Sequence, residues 1–233
     1  MASQPVYQFY AELEDYKPKI WWRFQVQGNC TIARLGYIVM TLYEMKASHL
    51  LAIEHERPFL TATGRLSKRM ELICRYALPD EDGEWREYDD ADATQEKLSQ
   101  VDFEEHSRLL VSYDFGDDWR VIVKLEKMFS DPDLPGKELP RVLEGEGFGI
   151  IEDCGGPGGL ADLVVAFKAK QGEEYENFCE WLGVDELDLE RFDLDDMNFR
   201  LKKLPRIFAD IYDGYYPTQR SIDLIERKYL RKR

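Results

Sequence analysis

The sequence predicts an α+β fold: a twisted, largely antiparallel sheet covered by helices, with a helical C-terminal extension. Three observations predict it. Short runs with an apolar residue at every second position recur through the first 126 residues, the pattern of half-buried strands. Several of these runs are separated by only a few turn-forming residues, so antiparallel pairing is the natural arrangement. From about residue 160 onward the apolar spacing changes to three and four, which is helical.

Tyr7, Phe9, Ala11 and Leu13 mark the first strand, and Tyr16-Lys17-Pro18 breaks it. Ile20, Trp22, Phe24 and Val26 mark the second, with Trp22 facing inward and Trp21 on the other side with Arg23. Gly28-Asn29 ends that strand, and Thr31 is placed to cap a helix over residues 31–46, where Ile32, Leu35, Val39, Leu42 and Tyr43 fall on one face. His49 to Ile53 reads as a short strand, with Pro58 as the stop beyond it; Met70, Leu72, Cys74 and Tyr76 mark another. Residues 79–92 are acidic and turn-rich, a solvated loop, and 94–98 allow one helical turn.

The central element comes next. Leu109, Val111, Tyr113 and Phe115 alternate before Gly116-Asp117-Asp118, and Trp119, Val121, Val123 and Leu125 alternate after it. This is a β-hairpin with one buried face, Trp119 pointing inward. Gly116 is assigned the positive φ of its turn, and Asp117 or Asp118 a bond to local backbone. Residues 128–140 carry Pro132, Pro135, Gly136 and Pro140 and read as loop. Three helices come after the Gly-rich segment, marked by Leu160/Leu163/Val164/Phe167, Tyr175/Phe178/Cys179/Leu182 and Met197/Leu201/Leu204, with Asp195 as cap of the third.

The tail from Pro217 is helical in pattern and ends in Arg227-Lys228 and Arg231-Lys232-Arg233, read as the single basic cluster of the chain. Its charges suit docking on an acidic face of this or another copy, without a part in folding. The division is a domain of residues 1–204 and a helical basic extension of residues 205–233.

A net charge of -15 over 233 residues argues against direct nucleic-acid binding, because phosphate contacts need clustered Lys and Arg. A protein partner is the expected kind, and a homo-oligomer is compatible with the sequence. Cys30, Cys74, Cys154 and Cys179 form no CxxC pair, as in a reducing cytoplasm. Met1-Ala2-Ser3-Gln4-Pro5 has no basic start or apolar h-region, and no apolar run approaches the ~18–20 residues that span a bilayer. The expectation is a cytoplasmic protein with no membrane contact.

Five carboxylates carry the candidate chemistry. Asp114, Asp117, Asp118, Glu152 and Asp153 lie in two loops and, if they converge, supply the hard oxygen ligands of Mg²⁺ or Ca²⁺, a clamp for a phosphoryl group. Turn aspartates otherwise satisfy backbone N–H groups, and on that reading no cofactor is expected. Gly155-Gly156-Pro157-Gly158-Gly159 opens a helix and reads either as an anion cradle or, preferably, as a sharp, closely packed turn. Cys154 beside it is a thiol nucleophile or a buried structural residue. His49, His55 and His106 have no metal-ligand spacing. Trp21, His49 and Arg120 are the candidate ligand or partner contacts.

Two motifs and their order carry a resemblance. They are Tyr113-Asp114-Phe115-Gly116-Asp117-Asp118-Trp119 and Glu152-Asp153-Cys154-Gly155-Gly156-Pro157-Gly158-Gly159. Pro18-Lys19-Ile20-Trp21-Trp22-Arg23, Ser48-His49-Leu50, Phe192-Asp193 and Asn198-Phe199-Arg200-Leu201 support them. The ordered set, from about residue 5 to about residue 204, resembles the plasmid pRiA4b ORF-3-like family, also labelled resolvase-like. The resemblance implies an α+β domain of plasmids, transposons and bacterial genomes, in which Tyr113, Phe115, Gly116, Trp119, Gly155, Gly156, Pro157 and Gly159 are mainly structural.

The chain departs from that family at three places: Arg120-Val121 stands for Glu-His, Leu35-Gly36 for Leu-His, and Glu44-Met45 for Gly-Trp. Two family histidines are therefore absent. The expected function is a non-catalytic binding or interaction protein, an accessory of a mobile genetic element. The alternative is a metal-dependent hydrolase of phosphate or nucleotide substrates using the carboxylate cluster. A further alternative is an acidic nucleic-acid mimic.

Overall fold

The computed structural model describes residues 4–61, 63, 65–79, 90–188 and 192–229. Most of the acidic loop expected at 79–92, and Arg231, Lys232 and Arg233, lie outside the described residues.

β1 (Val6–Leu13) pairs antiparallel with β2 (Trp21–Gln27), setting Phe9 opposite Phe24 and Ala11 opposite Trp22. β7 (Trp119–Phe129) takes the other side of β1 and pairs in turn with β6 (Arg108–Tyr113), Tyr113 opposite Trp119. β3 (Leu51–Leu60) lies beside β6, and β4 (Leu66–Ala77) beside β3. β5 (Ala91–Asp92) adds two residues to β4 in the one parallel pairing among the described residues, and β8 (Arg141–Glu146) closes the far edge on β2. The sheet order is β5-β4-β3-β6-β7-β1-β2-β8. This is the α+β architecture that the alternation predicts.

Period-2 patterning divides the sheet into a buried and an open face. Phe9, Trp22, Phe24, Leu109, Val111, Tyr113, Trp119, Val121 and Val123 are buried in one cluster. On the open face Arg23 bonds Glu126 (2.7 Å) and pairs with Glu144, and its guanidinium lies over the rings of Tyr10 and Trp21.

α1 (Ile32–Leu42) covers the buried face, its first turn capped by the Thr31 hydroxyl, which accepts from the Arg34 N–H at 3.2 Å. Every α1 residue except Arg34 is buried, because the sheet covers one side and α4 (Leu194–Leu201) and α5 (Leu204–Tyr212) cover the other. Gly36 permits the close approach: a Cβ there would stand 2.8 Å from Ile53 and 2.9 Å from Leu51. A histidine at that position would have no room against β3. Val121 is fully buried in the core.

α2 (Gly156–Ala169) and α3 (Glu173–Leu182) pack on each other through Phe167 and Tyr175. α6 (Gln219–Ile225) lies against α5. The division drawn at residue 204/205 falls inside α5, whose Leu204, Pro205 and Phe208 are buried.

The tail docks within its own chain. Arg227 donates to Glu44 Oε1 at 2.6 Å and pairs with Asp196, while the Tyr229 hydroxyl donates to the other Asp196 oxygen at 2.7 Å. Glu44 is itself buried and also accepts from Arg200, 1% exposed. Two arginines thus converge on one buried carboxylate.

Several local expectations are corrected. Pro58 does not stop β3: the β3–β6 ladder ends at Glu56/Arg108, and Pro58 lies beyond it in a two-stranded arm with β4, where one missing N–H is tolerated. Residues 57–70 of that arm hold Arg57, Arg65, Lys68 and Arg69 and no acid, so the tail is not the single basic cluster. Residues 128–140 begin inside β7 and contain a 3₁₀ turn at Gly136–Glu138, and β8 comes next, unforeseen. The helical turn falls at Leu98–Gln100 rather than 94–98. The third C-terminal helix is two, α4 and α5, and Asp193 rather than Asp195 caps α4 by accepting from the Asp196 N–H at 3.0 Å.

Candidate functional site

Three segments meet where β3 begins and β6 ends: residues 46–50 before β3, the hairpin turn after β6, and residues 152–156 leading into α2. Their meeting is held by one carboxylate. Glu152, 6% exposed, accepts from the Lys46 N–H (2.6 Å), the Ser48 hydroxyl (2.7 Å) and the Tyr113 hydroxyl (2.5 Å). Burial and the neighbouring Glu152 charge push the Tyr113 phenol well above its ordinary range, so it stays a neutral donor.

The hairpin turn is built differently from the expectation. Asp114 and Asp118, not Gly116, take positive φ, 53° each. Asp114 Oδ1 accepts from the N–H groups of Gly116 (3.1 Å) and Asp117 (3.4 Å), an Asx turn. That conformation takes Phe115 out of the strand alternation, so its ring is 51% exposed rather than inward. Trp22 and Trp119 do point inward, at 1% and 0% exposed.

The Gly-rich segment packs on this turn. Asp117 Oδ2 accepts from the Gly155 N–H at 3.2 Å, at the start of α2. A Cβ on Gly156 (φ 70°) would stand 2.3 Å from the Asp117 carbonyl oxygen, so only glycine fits there. The anion at this helix start is the chain's own Asp117 carboxylate. Cys154 beside it is half-buried, and burial with the Asp117 and Asp153 charges pushes its thiol up to about 12, the opposite of an activated nucleophile.

Three of the five carboxylates take separate positions. Glu152 is turned inward, Asp117 holds the Gly-rich segment, and Asp118 is exposed on the turn. Asp114 and Asp153 meet, and they meet at His49. His49 Nε2 stands 3.5 Å from Asp114 Oδ2 and 3.3 Å from Asp153 Oδ1. The imidazole is set edge-on to the Tyr113 ring, and the His49 carbonyl accepts from the Tyr212 hydroxyl at 2.6 Å. Trp21 and Arg120 do not join them: Trp21 stacks on Tyr10 and donates to Glu146 at 3.3 Å, and Arg120 pairs with Glu14 at 2.8 Å, both on the open face of the sheet.

His49 and Asp114 lie on the wall of a cleft of about 860 Å³. Leu50, Leu51, Ala77 and Ile211 give it apolar surface; Phe115 and Tyr216 stand at its rim, the latter 97% exposed. Tyr212 and Tyr216 carried no motif in the sequence. Their signal was a tyrosine-rich stretch at the end of α5 and just beyond it, which tertiary packing alone assigns to the cleft.

A family model, plasmid pRiA4b ORF-3-like protein, matches residues 5–196. The chain belongs to that family. An uncharacterized relative in sequence, y4hQ of Sinorhizobium fredii, is 36% identical over 76 residues, which is 33% of this chain and 38% of that one. The chain thus matches well under half the length of that relative. A crystal structure of a protein of unknown function from Methanosarcina mazei Go1 is similar with a TM-score of 0.64 and 28% identity, covering 83% of this chain and 97% of that one. Among the described residues no helix is long and apolar enough to cross a membrane.

Proposed function

We propose that this chain is a non-catalytic binding protein whose partner, an apolar segment of another protein, enters the cleft beside His49. One observation carries the reading. The carboxylates able to act on a substrate are largely engaged in holding the fold, Glu152 by three hydrogen bonds and Asp117 by one, while the adjoining cleft presents the exposed rings of Phe115 and Tyr216. Exposed aromatics around a concave apolar floor are the composition of recognition surfaces. An accessory role in a mobile genetic element belongs to the same proposal and is supported by the plasmid origin in the family's description.

A photo-crosslinking residue at Tyr216, with one at Trp181 on α3 as control, tests this. The expected result is a partner captured from Tyr216 alone, whose purified form loses at least tenfold in affinity for the Phe115→Ala/Tyr216→Ala variant. Equal capture from both positions, or unchanged affinity, overturns it.

A second reading, the metal-dependent hydrolase, has one observation in its favour: Asp153 converges with His49 and Asp114, two residues that line the cleft. Cleavage of a simple phosphodiester in Mn²⁺ or Zn²⁺, lost in Asp114→Asn, would put that reading first.

A further inference from the structure

We infer that His49, Asp114 and Asp153 form a binding site for one Zn²⁺ ion beside the cleft. His49 Nε2, Asp114 Oδ2 and Asp153 Oδ1 are drawn together from three segments of the chain, and one ligand atom from each lies within 4.8 Å of the others. Two ligands about 2.0–2.1 Å from one tetrahedral ion lie about 3.3–3.4 Å apart. The observed separations of 3.3 and 3.5 Å match that spacing.

His49 Nε2 supplies the independent observation. It is removed from solvent, and no group bonds it with hydrogen-bond geometry although two carboxylate oxygens flank it. A proton on that nitrogen would point along one line; an ion set between the three atoms satisfies all of them at once.

Neighbouring groups hold two of the ligands in place. Asp114 Oδ1 is occupied by two backbone N–H groups, which leaves Oδ2 turned to His49. The imidazole is fixed by the Tyr113 ring and by the bond from Tyr212 to the His49 carbonyl. Asp153, 68% exposed, is the ligand free to close over an ion. An imidazole among the ligands favours Zn²⁺ over the Mg²⁺, Ca²⁺ or Mn²⁺ that an all-carboxylate set would take. Three protein ligands leave a coordination position open. On the cleft side it suits an anionic oxygen, carboxylate or phosphate. That last step rests on the cleft being the binding site; the ion does not.

The test is Zn²⁺ alone, titrated calorimetrically into chelator-treated full-length protein, with imidazole ¹⁵N resonances followed in parallel. The expected result is one Zn²⁺ per chain, a shift of His49 Nε2 with His55 and His106 unmoved, and affinity reduced at least tenfold in Asp114→Asn and Asp153→Asn but unchanged in Asp118→Asn. The wild-type resonance reads the site even if a variant fails to fold. Absence of stoichiometric Zn²⁺ binding overturns the inference. So does a shift confined to His106, which stands exposed 3.5 Å from Glu105, or an equal loss in Asp118→Asn, which marks diffuse attraction to acidic surface. Zn²⁺ binding with no cleft partner leaves the ion in place and sinks only the binding-protein reading.

Discussion

The Tyr113 hydroxyl donates to Glu152 Oε1 at 2.5 Å, joining the end of β6 to the segment that opens α2. The bond spans 39 residues of sequence and lies out of solvent. Each partner also serves Ser48: its N–H donates to the Tyr113 oxygen at 3.1 Å and its hydroxyl to Glu152 Oε2.

This arrangement predicts a strong coupling. Glu152→Gln and Tyr113→Phe should each cost about 1–3 kcal/mol, since each leaves buried polar groups with fewer partners. The double variant should cost less than the sum by about 0.5–3 kcal/mol. Urea unfolding of the four proteins measures it; strict additivity would mean that the two residues act separately.

Trp119→Ala should cost about 3–5 kcal/mol, because the ring is fully buried and its removal leaves a cavity. Thermal unfolding within a degree of wild type would contradict the burial.

The convergence on Glu44 predicts an order of effects. Glu44→Ala leaves the buried Arg200 guanidinium without its carboxylate and should cost about 3–5 kcal/mol. Arg227→Ala leaves Glu44 still paired with Arg200 and should cost less, about 1–3 kcal/mol. Removing residues 217–233 should therefore lower the unfolding midpoint, contrary to a tail dispensable for folding. A truncated protein as stable as the full chain would show that Arg227 contributes nothing.

His55 predicts a pH dependence. Burial disfavours its imidazolium and lowers its pKa below the ordinary value of 6.5, with Arg57 acting in the same direction and Asp102 and Glu104 opposing. As pH falls, the unfolded chain takes the proton first. The His55 contribution is thus complete above about pH 6.5 and declines below it. Urea midpoints should fall between pH 7.5 and 5.5, and the fall should shrink in His55→Gln. An equal fall in both proteins would assign it to other groups.

The elements legible in the sequence were those whose pattern is set by one buried face. β1, β2, β6 and β7 alternate because the sheet packs on one side, and Thr31 announced α1 by its own capping chemistry. β8 escaped notice because Arg141, Glu144 and Glu146 make it read as polar loop, although the free edge of β2 recruits it. Phe115 was misplaced because alternation cannot foresee that Asp114 leaves the strand at positive φ. The carboxylates were recognised as a group, yet which of them face each other depends on contacts across a hundred residues: His49 meets Asp153 in a segment that Glu152 latches to Lys46. No spacing in the sequence encodes that meeting.

The strand order bears on how the chain is made. β1 sits between β2 and β7, so one of its edges has no partner until residues 119–129 have been synthesised. At about 5–20 residues per second that delay is on the order of ten seconds. During it the nascent N-terminal pair, Phe9 and Trp22 included, has neither its third strand nor the cover that α5 gives to α1. The first half of this protein therefore emerges with an interior strand edge still open, which β7 fills before the edge strand β8 is added.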